Sequence, residues 1–185
     1  QQVNLFREGQ LVRMSKRKGE FYAMEDLLEE VGVDATRFFM LQRAVNTPLD
    51  FDLTLARTLS QENPVYYVQY SHARVVNLLR FAREKGLEPD LTALTHLAHP
   101  EERALAMQLL RFYDLVQEVA SSREVHRLPH YLLEVSRAFH QFYQKVRVVT
   151  EDAEESRRKL ALVELFRRVM RAGLSLIGVE APERM

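Results

Sequence analysis

"NPVYYVQYSHARVVNLLRFAREK", residues 63–85, is the stretch on which the fold turns. Asn63-Pro64 opens a helix with proline near its first position, where no intrahelical N–H is required. Val65, Val68, Val75, Leu79 and Ala82 then form one apolar stripe, and Tyr67, Tyr70, Leu78 and Phe81 lie beside it. A helix apolar on more than one face needs neighbours on more than one side, so this segment reads as the centre of a bundle.

Those neighbours are visible downstream as periodicity. Leu105, Leu109, Phe112, Val116 and Val119 step by four and three; Leu132, Val135, Phe139, Phe142, Val146 and Val149 step by three and four. Val163, Phe166, Met170, Leu174 and Ile177 make a third stripe, closed by Gly178. Three long amphipathic helices around a more buried fourth predict an all-α protein, an antiparallel helical bundle. Looser sequence through Pro89 and His99-Pro100 separates the first of these helices from the rest. There is no repeat, heptad run or low-complexity tract.

Upstream the pattern differs. Residues 3–13, "VNLFREGQLVR", alternate about Glu8-Gly9 as a short β-hairpin or a strand leading into a loop. Two strands cannot stand alone in water. From about residue 24 onward everything reads as helix. "MEDLLEEVG" has acidic residues in its first turn and Gly32 at its end, and Asp34 offers a side-chain cap for "ATRFFMLQRA". Pro48 and "LDFD" interrupt the helical pattern before residue 63. Three regions follow: 1–23, a hairpin and loop; 24–62, a helical connector; and 63–185, the bundle.

Composition sets bounds on function. With 26 basic and 26 acidic residues in 185, the formal net charge is zero, so any contact with a polyanion must come from local patches. The absence of cysteine excludes disulfides and thiolate metal sites and fits a reducing compartment, with the cytoplasm as the default expectation. No apolar run approaches the roughly 20 residues of a membrane span, and no signal-peptide pattern opens the chain. Gln1-Gln2 in place of an initiating Met suggests a chain cut from something longer.

One basic stretch carries candidate chemistry. "LVRMSKRKGEF", residues 11–21, gathers Arg13, Lys16, Arg17 and Lys18 before Gly19. Four cations among small and flexible residues suit a polyphosphate, and a solvated surface turn has the same composition. "MSKRKG" resembles the Lys-Met-Ser-Lys-Ser signature loop of class I aminoacyl-tRNA synthetases. Arg13 stands for the first lysine, Met14, Ser15 and Lys16 match, and Arg17 replaces the last serine. "DLLEEVGVDATRFFMLQRA" looks like the helical stem that follows this loop. "LDFDLTLARTLSQENPVYYVQYSHARV" and the ending "GVEAPERM" are similar to arginyl-tRNA synthetases, so the resemblance runs over nearly the whole chain.

The resemblance implies the C-terminal part of an enzyme that joins arginine to its tRNA using ATP with magnesium, the catalytic fold lying before residue 1. Residues 1–23 would end the catalytic domain and 63–185 would bind the anticodon arm. By the same resemblance Lys16 would be catalytic with Ser15, stabilising ATP phosphates. Arg13, Met14 and Lys18 would complete the ATP-binding loop. The fragment itself would be inactive, monomeric and without a cofactor of its own; its partners would be an arginine-accepting tRNA and the catalytic domain.

Single-stranded bases are held by stacking on rings and by contacts to base edges. Tyr66, Tyr67, Tyr70, His72 and Arg74 give one helix rings and donors, while His140, Tyr143 and Arg147 occupy successive turns opposite an apolar stripe. Tyr66 and Tyr67 read as half-buried core residues. Tyr70, Tyr143 and Met185 are the contacts the resemblance favours, with His72, Arg74 and Arg147 beside them. No metal site is expected: His126 and His130 are four apart, but Pro129 between them disfavours a regular helical turn. "EDAEESRRKL", residues 151–160, reads as the solvated start of the last helix. Other readings are a free-standing RNA-binding module, a purely structural bundle and the equivalent part of a cysteinyl-tRNA synthetase.

Overall fold

A computed structural model describes residues 2–12, 22–94 and 96–185. The basic stretch 13–21, with Arg13, Met14, Ser15, Lys16 and Lys18, lies outside the described residues.

Alternation at the N-terminus does form a hairpin. β1 (Val3–Arg7) and β2 (Gln10–Leu11) pair antiparallel, and Glu8 and Gly9 turn between them with φ of 51° and 75°. Positive φ at both central residues is the twist that a two-residue hairpin turn requires. "LDFD" departs from the expectation of an interrupted helix. It is β3 (Leu49–Asp52), which joins the other edge of β1 in parallel, pairing Val3 with Leu49 and Leu5 with Phe51. This third strand supplies what two strands lack: Leu5, Leu49 and Phe51 turn the same way and are buried.

The helical connector carries the sheet. α1 (Met24–Val31) and α2 (Val33–Leu41) are separated at Gly32, and α3 (Leu53–Arg57) follows β3 directly. Glu30 of α1 binds Arg7 of β1 at 2.6 Å and Arg57 of α3 at 3.5 Å, and it accepts the Tyr22 hydroxyl proton. Phe39 of α2 packs on Phe51 with ring centroids 5.1 Å apart.

Four long helices form the bundle. α4 (Pro64–Glu84), α5 (Pro100–Ser122), α6 (Arg127–Lys145) and α7 (Ala153–Leu176) match the periodic stripes. α6 and α7 lie between α4 and α5, and α2 leans on α4. Leu105, Leu132, Val135, Phe139, Phe142, Val163, Phe166, Met170 and Leu174 are fully buried at the shared core, where the Phe139 and Phe166 rings stack at 4.4 Å.

Two helix ends differ from the sequence reading. α6 begins at Arg127 with Pro129 inside its first turn, where proline's missing N–H costs nothing. At its other end α6 stops at Lys145, because Val146 turns extended and Val146 and Val148 then bury alternately. The start of α7 is also less solvated than its charge suggests: Ser156 and Lys159 are buried, and Arg158 reaches across to α5.

Arg158 meets the fully buried Glu102 at 2.8 Å. The same carboxylate accepts the backbone N–H groups of Ala98 and His99 and so caps α5. Removing one partner of a buried pair strands the other charge. Glu102→Gln is therefore expected to cost about 3 kcal/mol, read as a lower midpoint in urea unfolding, whereas truncating the exposed Arg111–Glu134 pair is expected to cost under about 1 kcal/mol.

Candidate nucleic-acid interface

Tyr66, Tyr70 and Arg74 recur every four residues along α4 and so share one face. The Tyr66 and Tyr70 rings stack with centroids 6.1 Å apart. Arg74 places its guanidinium 5.3 Å from the Tyr70 ring and 4.7 Å from the Tyr143 ring of α6. One cation thus bridges two helices through π faces. Tyr67 packs into the core and Tyr66 stays half-buried, close to the reading of both as structural.

His140 differs from its expected place on an outer ridge. It is buried between α4 and α6, its ring 5.0 Å from Tyr67 and 6.2 Å from Tyr70. Hydrogen-bond directions assign its tautomer. Ser71 Oγ donates to the Tyr67 carbonyl at 2.8 Å, so at 2.9 Å it accepts from His140 Nε2–H. The opposite nitrogen, Nδ1, then accepts from Arg74 at 3.4 Å. Burial above all, with the adjacent Arg74 charge, pushes the His140 pKa down to about 4. The imidazole is a neutral link under the tyrosine–arginine ladder.

Beside this ladder opens a cleft of about 400 Å³, lined among others by Tyr70, Arg74, Phe81, Tyr143 and Met185. Leu78, Phe81 and Tyr143 also border a wider groove of about 1000 Å³ along the α6–α7 connection, with Lys85, Lys145 and Arg147 on its walls. Four of the six expected RNA contacts, Tyr70, Arg74, Tyr143 and Met185, therefore converge on the cleft. Arg147 reaches the adjoining groove from beyond the end of α6, not from its next turn; it is exposed, and its Nε donates to the Val149 carbonyl at 3.2 Å.

His72 does not join them. It is 2% exposed and faces another side of α4, where Nδ1–H donates to the Pro182 carbonyl at 2.9 Å. Its burial lowers its pKa, and a neutral, enclosed imidazole is no donor for a base edge. Phe81 is the residue the sequence reading assigned inward and the structure turns out: it is 47% exposed, with Lys85 Nζ 5.0 Å from its ring centre. Its place seven residues after Arg74 and three after Leu78, on the same face of α4, was the available signal. Among the described residues no cluster of His, Asp and Glu is placed to hold a metal ion, and no helix is long and apolar enough to cross a membrane.

Exposed rings and cations held by rings beside an open cleft define a helical bundle domain suited to unstacked bases and phosphates. Residues 68–185 match the DALR anticodon binding domain, and the chain belongs to that family. An arginine–tRNA ligase of Symbiobacterium thermophilum is 50% identical over 190 residues, a match covering 100% of this chain and 34% of that protein. One from Listeria monocytogenes is 45% identical over 187 residues, again covering 100% and 34%. The structure of Thermus thermophilus arginyl-tRNA synthetase is similar with a TM-score of 0.69 and 32% identity, over 92% of this chain and 29% of that one. The chain spans about a third of the length of the curated relatives it matches.

The neutral His140 has a stability consequence. Its folded pKa lies below the ordinary 6.5, so between about pH 6.5 and 4 the unfolded chain binds a proton that the folded chain refuses. Stability falls as the pH drops through that window, by on the order of 2 kcal/mol from this group at the acid end. Urea unfolding at pH 7 and pH 4.5 is expected to show a smaller acid loss for His140→Gln than for the unaltered chain.

Proposed function

We propose that this chain is the tRNA-reading portion of an arginine–tRNA ligase and that the Tyr70–Arg74–Tyr143–Met185 cleft receives bases of the anticodon arm. The convergence of those four residues on one opening, in a chain of this family, carries the reading. Rings accept bases by stacking. Arg74, free of a carboxylate among the described ion pairs, offers a planar guanidinium to a base edge or a phosphate. Phe81 extends the stacking surface toward the wider groove, where Lys85 and Arg147 meet the backbone.

Residues 63–185 are the anticodon-binding domain in this reading, 24–62 the connector and 1–23 the end of the catalytic domain. In the whole ligase, ATP with magnesium supplies the activated adenylate. Lys16, assisted by Ser15 and Lys18, would neutralise the phosphates through a point charge on a mobile stem, with Arg13 and Met14 completing the loop. The ligase would act as a monomer in the cytoplasm.

Fluorescence anisotropy with an arginine tRNA and an unrelated tRNA, at about physiological salt, tests the RNA half. A clear preference for the arginine tRNA is expected, and Tyr143→Ala and Phe81→Ala are each expected to weaken it about tenfold, the value of one lost stack. Equal, salt-labile binding of both tRNAs would overturn the reading. For the loop, Lys16→Ala in the whole ligase is expected to slow adenylation by at least tenfold while arginine affinity holds; an unchanged adenylation rate would remove that assignment.

A further inference from the structure

After α7 the chain turns at Ile177 and Gly178, and residues 179–182 lie against α2 and α4. Ile177 and Val179 are buried, and Ala181 packs on the core, so this tail is held by apolar contacts as well. Four side chains engage the backbone on that side. Arg37 Nε donates to the Ile177 carbonyl at 3.1 Å, and Asp34 accepts the Glu180 N–H at 3.2 Å. Gln69 Nε2 donates to the Glu180 carbonyl at 3.1 Å and to Asp34 at 2.7 Å; His72 Nδ1 donates to the Pro182 carbonyl. Asp34 and Arg37 are three apart on α2, and Gln69 and His72 are three apart on α4, so each helix presents one pair from one face. Gly178 completes the fit: its φ is +66°, and a Cβ there would lie 2.7 Å from the Arg37 guanidinium.

We propose that Asp34, Arg37, Gln69 and His72 form a latch that fixes the backbone of residues 177–182 and thereby sets Met185 into the ring-lined cleft. These are positioning residues: none of them lines the cleft. Met185 does line it, although it remains 55% exposed. Only Glu183 and Arg184 lie between it and the last latched carbonyl, at Pro182, so releasing the latch frees Met185 to sample positions away from the rings. The latch also joins α2, on the connector, to the wall of the cleft. The RNA consequence rests on the function proposed above; the placement of Met185 does not.

A methyl NMR spectrum of the 185-residue chain labelled at methionine reads the placement without RNA. The Met185 resonance, identified by its loss in Met185→Ala, is expected to be displaced by the Tyr70 and Tyr143 rings. In Asp34→Ala and Gln69→Ala it is expected to move to the position of a free methionine, with helicity unchanged by circular dichroism. Gln69→Lys keeps a donor for both Asp34 and the Glu180 carbonyl and is expected to retain the displaced signal; Gln69→Glu sets two carboxylates together and is expected to lose it. A Met185 signal at the same position in the unaltered chain, Asp34→Ala and Gln69→Ala overturns the latch.

Affinity for the arginine tRNA reads the consequence. If release leaves the competent arrangement populated one time in ten, apparent affinity falls about tenfold. Asp34→Ala and Met185→Ala are each expected to show that loss, and the double variant to show no more than either. Losses that multiply would mean that Asp34 acts elsewhere, which also overturns the proposal. Should the unaltered chain show no preference for arginine tRNA, the proposed function fails while the methyl spectrum still decides the latch.

Discussion

The packing of α4 against α2, α6 and α7 is the constraint from which the rest follows. A helix enclosed on several sides leaves its polar side chains little water, and each must find a partner or pay the desolvation of a lone polar group. Ser71 is bound by Tyr67 and His140, Gln69 by Asp34 and Glu180, and His72 by Pro182. Arg74, half-buried, instead lines the cleft beside Tyr143 of α6. The candidate interface is therefore the opening that the packed helices leave beside α4.

Much of this arrangement was legible in sequence, since burial of one face of a helix writes a period that local residues alone determine. The four long helices were read from their stripes, with errors at the ends. Leu132 through Phe142 is true helical spacing, but Val146 and Val149 continued the count into extended chain, where Val148 and not Val149 is buried. Pro129 misled in the other direction, since its meaning depends on where the first turn starts. β3 went unread because four residues of alternation are a weak signal and its partner, β1, lies more than forty residues upstream.

The polar residues were less legible for a related reason. His72 and His140 look alike in sequence, each a ring donor beside tyrosines. Their fates were set by partners distant in the chain: Pro182 for the first, Ser71 and Arg74 for the second. Asp34 reads as a helix cap, yet α2 starts one residue earlier and Asp34 turns instead to Gln69 and the Glu180 amide. Phe81 is apolar and so was counted as core, although it lies seven residues after Arg74, two turns further along the same face of α4.

Under the proposed function, a chain with no net charge must present cations to a polyanion through local arrangement. Several guanidiniums elsewhere are held by carboxylates: Arg158 by Glu102, and Arg167 and Arg168 together by Glu164, whose pKa they hold down at about 2. Arg74 at the cleft and Lys85 on the adjoining groove have aromatic rings as neighbours. A ring orients a cation without neutralising it, so the charge remains available to an incoming phosphate, whereas a carboxylate would have to be displaced first. Neutral His140 under Arg74 serves the same end: it accepts a hydrogen bond from the guanidinium and adds no charge of either sign. Tyr70 and Tyr143 thus hold Arg74 in place and offer faces for stacking, and an acidic residue in place of either ring would fix Arg74 while cancelling the charge that the proposed function requires of the cleft.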